Sequence, residues 1–212
     1  MSDFHISPQG VRSLEQNIAD LENTCSESVF RHTDQIIDTL TNHWVSQHAS
    51  DFGKEAGACL QSMYTAVYDA TRDIGQRVND VIAYFNAQEG NYCYPMSVNT
   101  VHYPESVLDS GTPTTKDGDF GTFGVPIQTV FNSLRSSFEM IVTSYKTYLD
   151  DLVSAITSAA AFDSGTTSYI RGIATTAKGT LETEMGECLT KCNQRLSDEE
   201  SDRSSAQSSM SS

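Results

Sequence analysis

Basic residues are scarce in this chain. Its 212 residues include 13 Lys and Arg against 28 Asp and Glu, a formal net charge of -15. Binding phosphate takes clustered Lys and Arg, so the balance argues against nucleic acid and equally against an anionic membrane surface. Long hydrophobic runs are missing too. The longest apolar-leaning uncharged stretch, Leu152 to Phe162, is bounded by Asp151 and Asp163. A bilayer-spanning helix needs about 20 residues, so membrane insertion is not expected. A cleaved leader is not expected either. The N-terminus, MSDFHISPQG, has an acid and a His where a basic region and an apolar run belong. The expectation is a protein that is cytoplasmic, or cytoplasmic before export without a cleaved signal peptide. Cysteine is present in an odd number: Cys25, Cys59, Cys93, Cys188 and Cys192. An odd set cannot close into disulfides, and the cysteines read as free thiols, four of them small core residues.

Catalytic and metal-binding patterns are absent as well. No P-loop, G-x-S-x-G or His-Glu-x-x-His occurs, and the five His make no Glu-x-x-His pair for a di-iron bundle. Two Asp-Ser-Gly-Thr strings, at 109–112 and 163–166, resemble the paired-carboxylate signature of pepsin-like proteases. Those proteases are all-β and this chain reads as helical, so the strings are taken as polar turns. Cys188 and Cys192, one helical turn apart, fall on an apolar stripe and read as core. No catalytic residue, metal or cofactor is expected, and the protein is read as non-enzymatic.

What the sequence does contain is helical periodicity. Four stripes keep three-four spacing. The first runs from Val11 through Ile18, Cys25 and Ile36 to Leu40. Ser7 is placed to cap it and Pro8 to occupy its first position. The second runs from Phe52 through Met63, Ile74 and Val78 to Phe85. The third starts after Pro126 and runs from Ile127 through Phe138 and Tyr148 to Ile156. The fourth runs from Ile170 through Leu181 and Cys188 to Leu196. Stripes of this length cannot be buried by a lone helix, so the helices must pair. Short connections near 41–50 and 161–167 make them antiparallel neighbours.

The expected fold is therefore all-α: two long antiparallel helical hairpins packed as a four-helix bundle. The divisions are a hairpin at 6–89, an irregular linker at 90–124, a second hairpin at 125–197 and a disordered Ser-rich tail at 198–212. The linker holds three of the five prolines, and a short strand pair within 94–104 is weakly suggested. Acid is uneven. Residues 1–90 carry a net -8 and residues 125–196 a net -1, which points to the second hairpin as the place for a further protein partner.

One spacing stands out. Ile6-Ser7-Pro8 opens the first helix, Trp44-Val45-Ser46 occupies the turn, and Phe52 follows the Trp by eight residues. This resembles the WXG (Esx-type) family of helical-hairpin proteins exported by type VII secretion systems of Gram-positive bacteria. There a Trp-x-Gly turn joins two long helices and an aromatic follows about eight residues on. Ser46 stands where the family has Gly. The family's export signal, Tyr-x-x-x-Asp/Glu after the second helix, is broken at Tyr84 by Gln88 but kept in form by Phe85 and Glu89. Phe162-Asp163-Ser164, with Ile170 eight residues after the Phe, repeats the turn spacing and suggests a diverged duplication.

The resemblance implies a binding protein, secreted or cell-surface, whose partners are secretion machinery or another helical-hairpin protein. Two readings from other classes stand beside it. One is an intracellular, immunity-like binding partner. The other is a helical membrane-damaging (pore-forming) protein.

Overall fold

The four stripes fold as four helices: α1 Pro8–Asp38, α2 Gln47–Glu89, α3 Ile127–Ala159 and α4 Ser164–Met210. The fold is all-α. A computed structural model describes residues 8–89, 95–97, 122–123, 126–159 and 162–211. Two dipeptides pair antiparallel across a long sequence gap: β1 Trp44–Val45 and β2 Thr122–Phe123. Ser7, Cys93 and nearly all of 90–124 lie outside the described residues. So does the first Asp-Ser-Gly-Thr string, and most of the strand pair suggested within 94–104.

The described residues form two compact units, each four-helical. Unit 1 holds 8–27 of α1, 64–89 of α2, 143–159 of α3 and 162–181 of α4 with its approach. Unit 2 holds 28–38, 47–63 and 127–142 of the first three helices, the α1–α2 turn, β2, and 182–211. The hairpins at 6–89 and 125–197 thus do not coincide with the units, because each unit draws on both hairpins. The physical reason is the length of the stripes. Each helix has apolar residues to bury in both units.

In unit 1 the core is built from Ile18, Val67, Ile74, Val78, Tyr145, Leu152, Ile156 and Ile170, all at most 1–2% exposed. In unit 2 it is built from Val29, Ile36, Phe52, Met63, Leu134, Phe138, Ile141 and Cys192, equally buried. Each fully buried Val, Leu, Ile, Phe or Met contributes about 1.5–3 kcal/mol relative to exposure. Cys25, Cys59, Cys188 and Cys192 are buried free thiols, as their places on the stripes require.

The hairpin turns end in polar caps. Ser46 Oγ accepts from the Ala49 amide at 3.1 Å, opening α2. Asp163 opens α4: its Oδ1 accepts from the Thr166 amide at 2.8 Å and its Oδ2 from the Thr166 hydroxyl at 2.9 Å. A Cβ on Gly165 would come within 3.0 Å of that Oδ1. The second Asp-Ser-Gly-Thr string is thus a helix cap, with Gly making room for the cap carboxylate and Thr donating to both of its oxygens. These hydrogen bonds hold the Asp163 carboxyl below its ordinary range, the Thr166 amide first among them.

Two features depart from the sequence reading. The tail expected to be disordered from 198 continues α4 to Met210. Leu196 and Glu199 are buried, His48 Nε2 meets Asp202 Oδ2 at 3.1 Å, and Ser204, Ser208 and Ser209 bond back to carbonyls four residues earlier. Docking on the start of α2 supplies what the Ser-rich composition lacks. The linker, besides its β2 pairing, is pinned at Met96 and Ser97. Asn79 accepts from the Met96 amide at 2.7 Å and donates to the Met96 carbonyl at 3.0 Å, while Glu15 accepts from the Ser97 amide at 2.7 Å. Met96 itself is buried.

Candidate functional site

The α1–α2 turn is built from a change in helical winding. After Asp38 the chain takes one π-type turn, Thr39–His43, closed by the Trp44 amide donating to the Thr39 carbonyl. The wider turn adds a residue without breaking the helix, a device common at functional sites. Trp44 then leaves it in extended geometry, φ -134° and ψ 92°. Trp44 and Val45 pair with Phe123 and Thr122 respectively, and Ser46 caps α2.

This geometry sends the indole inward. Trp44 and Phe52 are both 0% exposed, and their rings stack at 5.9 Å between centroids with 26° between planes. The eight-residue spacing has a plain cause. Six residues into α2, Phe52 comes round to the face that meets the turn. The Trp44 ring is therefore an anchor, and it is not available to a partner. The turn presents Thr41, Asn42 and Gln47 as exposed groups, with His43, Val45 and His48 half-buried. Ser46 ends the turn with its hydroxyl on the Ala49 amide. The position is the helix N-cap, where a hydroxyl serves better than a bare backbone.

Polar groups surround the turn. Asn42 donates to Asp38 at 2.6 Å, and His43 Nε2 lies 3.7 Å from the same carboxyl. Lys54 donates to Asp51 at 3.2 Å and holds that carboxyl below its ordinary range. Arg195 of α4 grips Glu55 at 2.7 and 3.4 Å and stands 4.0 Å from Asp51. Beside the π-type turn lies a polar groove of about 500 Å³, lined by residues including Asp38, Thr39, His43, Thr129, Asn132 and Ser133. Its lining consists of hydroxyl and amide groups with the Asp38 carboxyl and the His43 imidazole. Among the described residues no group of three His, Cys, Asp or Glu is arranged to hold a metal ion.

The other candidate residues sit elsewhere. Phe85 belongs to unit 1 and is half-buried, with the 62%-exposed Tyr84 ring edge-on to it at 5.7 Å. Glu89 closes α2, and its side chain lies outside the described residues. The structure thus brings Trp44, Val45, Ser46 and Phe52 together in unit 2 and leaves Phe85 in unit 1.

Sequence reasoning missed a buried carboxyl in unit 1. Glu22 is 5% exposed, and its Oε1 has no hydrogen-bond partner among the described residues. Burial pushes its pKa up to about 7, against a hydrogen bond from Tyr148 that favours the charged form. The Tyr148 hydroxyl stands 3.4 Å from that of Thr71. Glu22 lies four residues after Ile18 and three before Cys25, within the three-four stripe of α1, and that placement was the available signal.

No family model matches the chain, and neither a curated protein nor a solved structure matches it. No described helix is long and apolar enough to cross a membrane.

Proposed function

We propose that the chain is a non-enzymatic helical protein exported by a type VII (Esx-type) secretion system, or the binding partner of such a substrate. The observation that carries this reading is the anchored turn: two long helices joined at Trp44, with Phe52 eight residues on stacked against it. In this reading Trp44 and Phe52 fix the shape of the hairpin end. The exposed groups of the turn, Thr41, Asn42 and Gln47, then form the surface that secretion machinery touches. Tyr84 and Phe85, near the end of α2, form the second recognition element with Glu89. The two hairpins in one chain supply internally the four helices that resembled proteins assemble by pairing. The nearly neutral second hairpin offers the face for a further helical partner.

The test is the Trp44→Phe variant, followed in two assays at once. Retained folding with export into the medium supports Trp44 as a shape-setting anchor. Retained folding with export lost would mean that the indole itself is read, against its burial. For Thr41→Ala/Asn42→Ala/Gln47→Ala, unchanged export would sink the recognition surface.

A second reading, an intracellular immunity-like partner, draws support from the four buried free thiols, which suit a reducing compartment. Finding the protein only in cell lysate would favour it.

A further inference from the structure

Three thiols of unit 2 gather along the contact between α2 and α4. Cys59 Sγ donates to the Glu184 carbonyl at 3.3 Å. Glu184 lies one helical turn before Cys188, and helix side chains lean back over the preceding turn. The Cys188 side chain therefore leans back toward Glu184, on the side where Cys59 bonds. Cys192 follows one turn further on. Cys59, Cys188 and Cys192 are 6%, 1% and 0% exposed, and all are free thiols.

Packing alone does not require this. A small apolar residue fills such a place as well as a thiol does. Here two thiols stand on facing turns of two rigid helices, with Cys59 bonded to the carbonyl one turn before Cys188. We propose that Cys59 and Cys188 are a redox pair that closes one disulfide between α2 and α4 when the protein meets a small-molecule disulfide such as oxidised glutathione. The first thiolate attacks oxidised glutathione, forming a mixed disulfide and releasing one glutathione thiolate. The second attacks the protein sulfur of that mixed disulfide and releases another. The protein loses two protons and two electrons, and one oxidised glutathione becomes two reduced.

Burial controls when this happens. The hydrogen bond to Cys59 and the loss of water push the Cys188 thiol far above its ordinary range, and burial pushes Cys192 up to about 12. Thiols kept protonated are poor nucleophiles, so attack waits on local opening of the α2–α4 contact. Once closed, the bond spans a loop of roughly 130 residues, a length at which a cross-link strongly restricts the unfolded chain. A Cys188–Cys192 bond would instead tie α4 to itself. The pair stands on unit 2 alone and does not depend on the export reading.

The test uses the full chain with Cys93→Ser, to leave only the four buried thiols. The protein is incubated with oxidised glutathione at pH 8, with and without sub-denaturing urea, then alkylated and mapped by peptide mass spectrometry. The expected product is one peptide pair linking Cys59 to Cys188, two hydrogens lighter than the sum of its parts. It forms faster in urea, and its urea midpoint rises by roughly 1–2 M. Cys192→Ala keeps the link, while Cys59→Ala and Cys188→Ala each lose it with the helical circular dichroism retained. If either of these two variants fails to fold, the linkage map of the parent chain and of Cys192→Ala decides. Glutathione trapped on single cysteines, or a Cys188–Cys192 link as the main product, overturns the proposal.

Discussion

Replacing Glu22 by Gln should stabilise the protein above neutral pH and change little below pH 5. The carboxyl is buried in unit 1 and its pKa rises from 4.5 to about 7 on folding. In the unfolded chain the proton leaves near 4.5, whereas in the folded chain it stays until about 7. The folded state therefore binds the extra proton between those values, and stability falls as pH rises through the window. The stabilising contribution is complete below the unfolded value and gone above the folded one. A shift of that size corresponds to about 3 kcal/mol at 1.36 kcal/mol per pH unit. Gln keeps the size and can accept from Tyr148, but it has no charge to desolvate, and its own buried amide takes back part of the gain. The assay is urea unfolding followed by circular dichroism at pH 5, 6, 7 and 8 for both proteins. The difference between them should open from near zero at pH 5 to about 2–3 kcal/mol at pH 8. Curves that stay parallel across the series would refute the reasoning and place the Glu22 charge in contact with water.

Other outcomes follow from the turn and the linker clasp. Trp44→Ala empties a fully buried site beside Phe52 and should cost about 3–5 kcal/mol, read as a lower denaturant midpoint. Ser46→Ala should cost about 1 kcal/mol through loss of the α2 cap, but Ser46→Gly only a few tenths. Equal losses in the two Ser46 variants would mean that the hydroxyl does not cap. Asn79→Ala should release the Met96 backbone, seen as faster hydrogen exchange at the Met96 amide with the exchange of core amides unchanged. Arg195→Ala should change stability by less than about 1 kcal/mol, because its ion pair with Glu55 is partly exposed.

The helices were legible because burial in a helix leaves a period. Ile18, Ile74, Leu134, Phe138 and Leu181 each lie on a three-four stripe and each is buried. The caps at Ser46 and Asp163 follow from local chemistry, and the Asp-Ser-Gly-Thr string at 163–166 is the polar turn its composition implies. What sequence did not show was non-local. The Ser-rich end of α4 is helical because His48 and buried Leu196 hold it, and composition carries no record of those contacts. The clasp of Asn79 on Met96 joins residues 17 apart across a linker with no period of its own. Cys59 and Cys188 lie on separate stripes, and only folding brings Cys59 to the turn of α4 before Cys188. The Trp44 turn was visible as a spacing. Its inward ring was not visible, because it follows from the π-type turn that precedes it.

The most direct measurement is the appearance of the full chain in cell-free medium, with a lysis control, in a host carrying a type VII secretion system and in the same host lacking its secretion ATPase. Export through that system predicts the protein in the medium of the first strain and its retention in the second. Equal amounts in both media, or none in either, would contradict it.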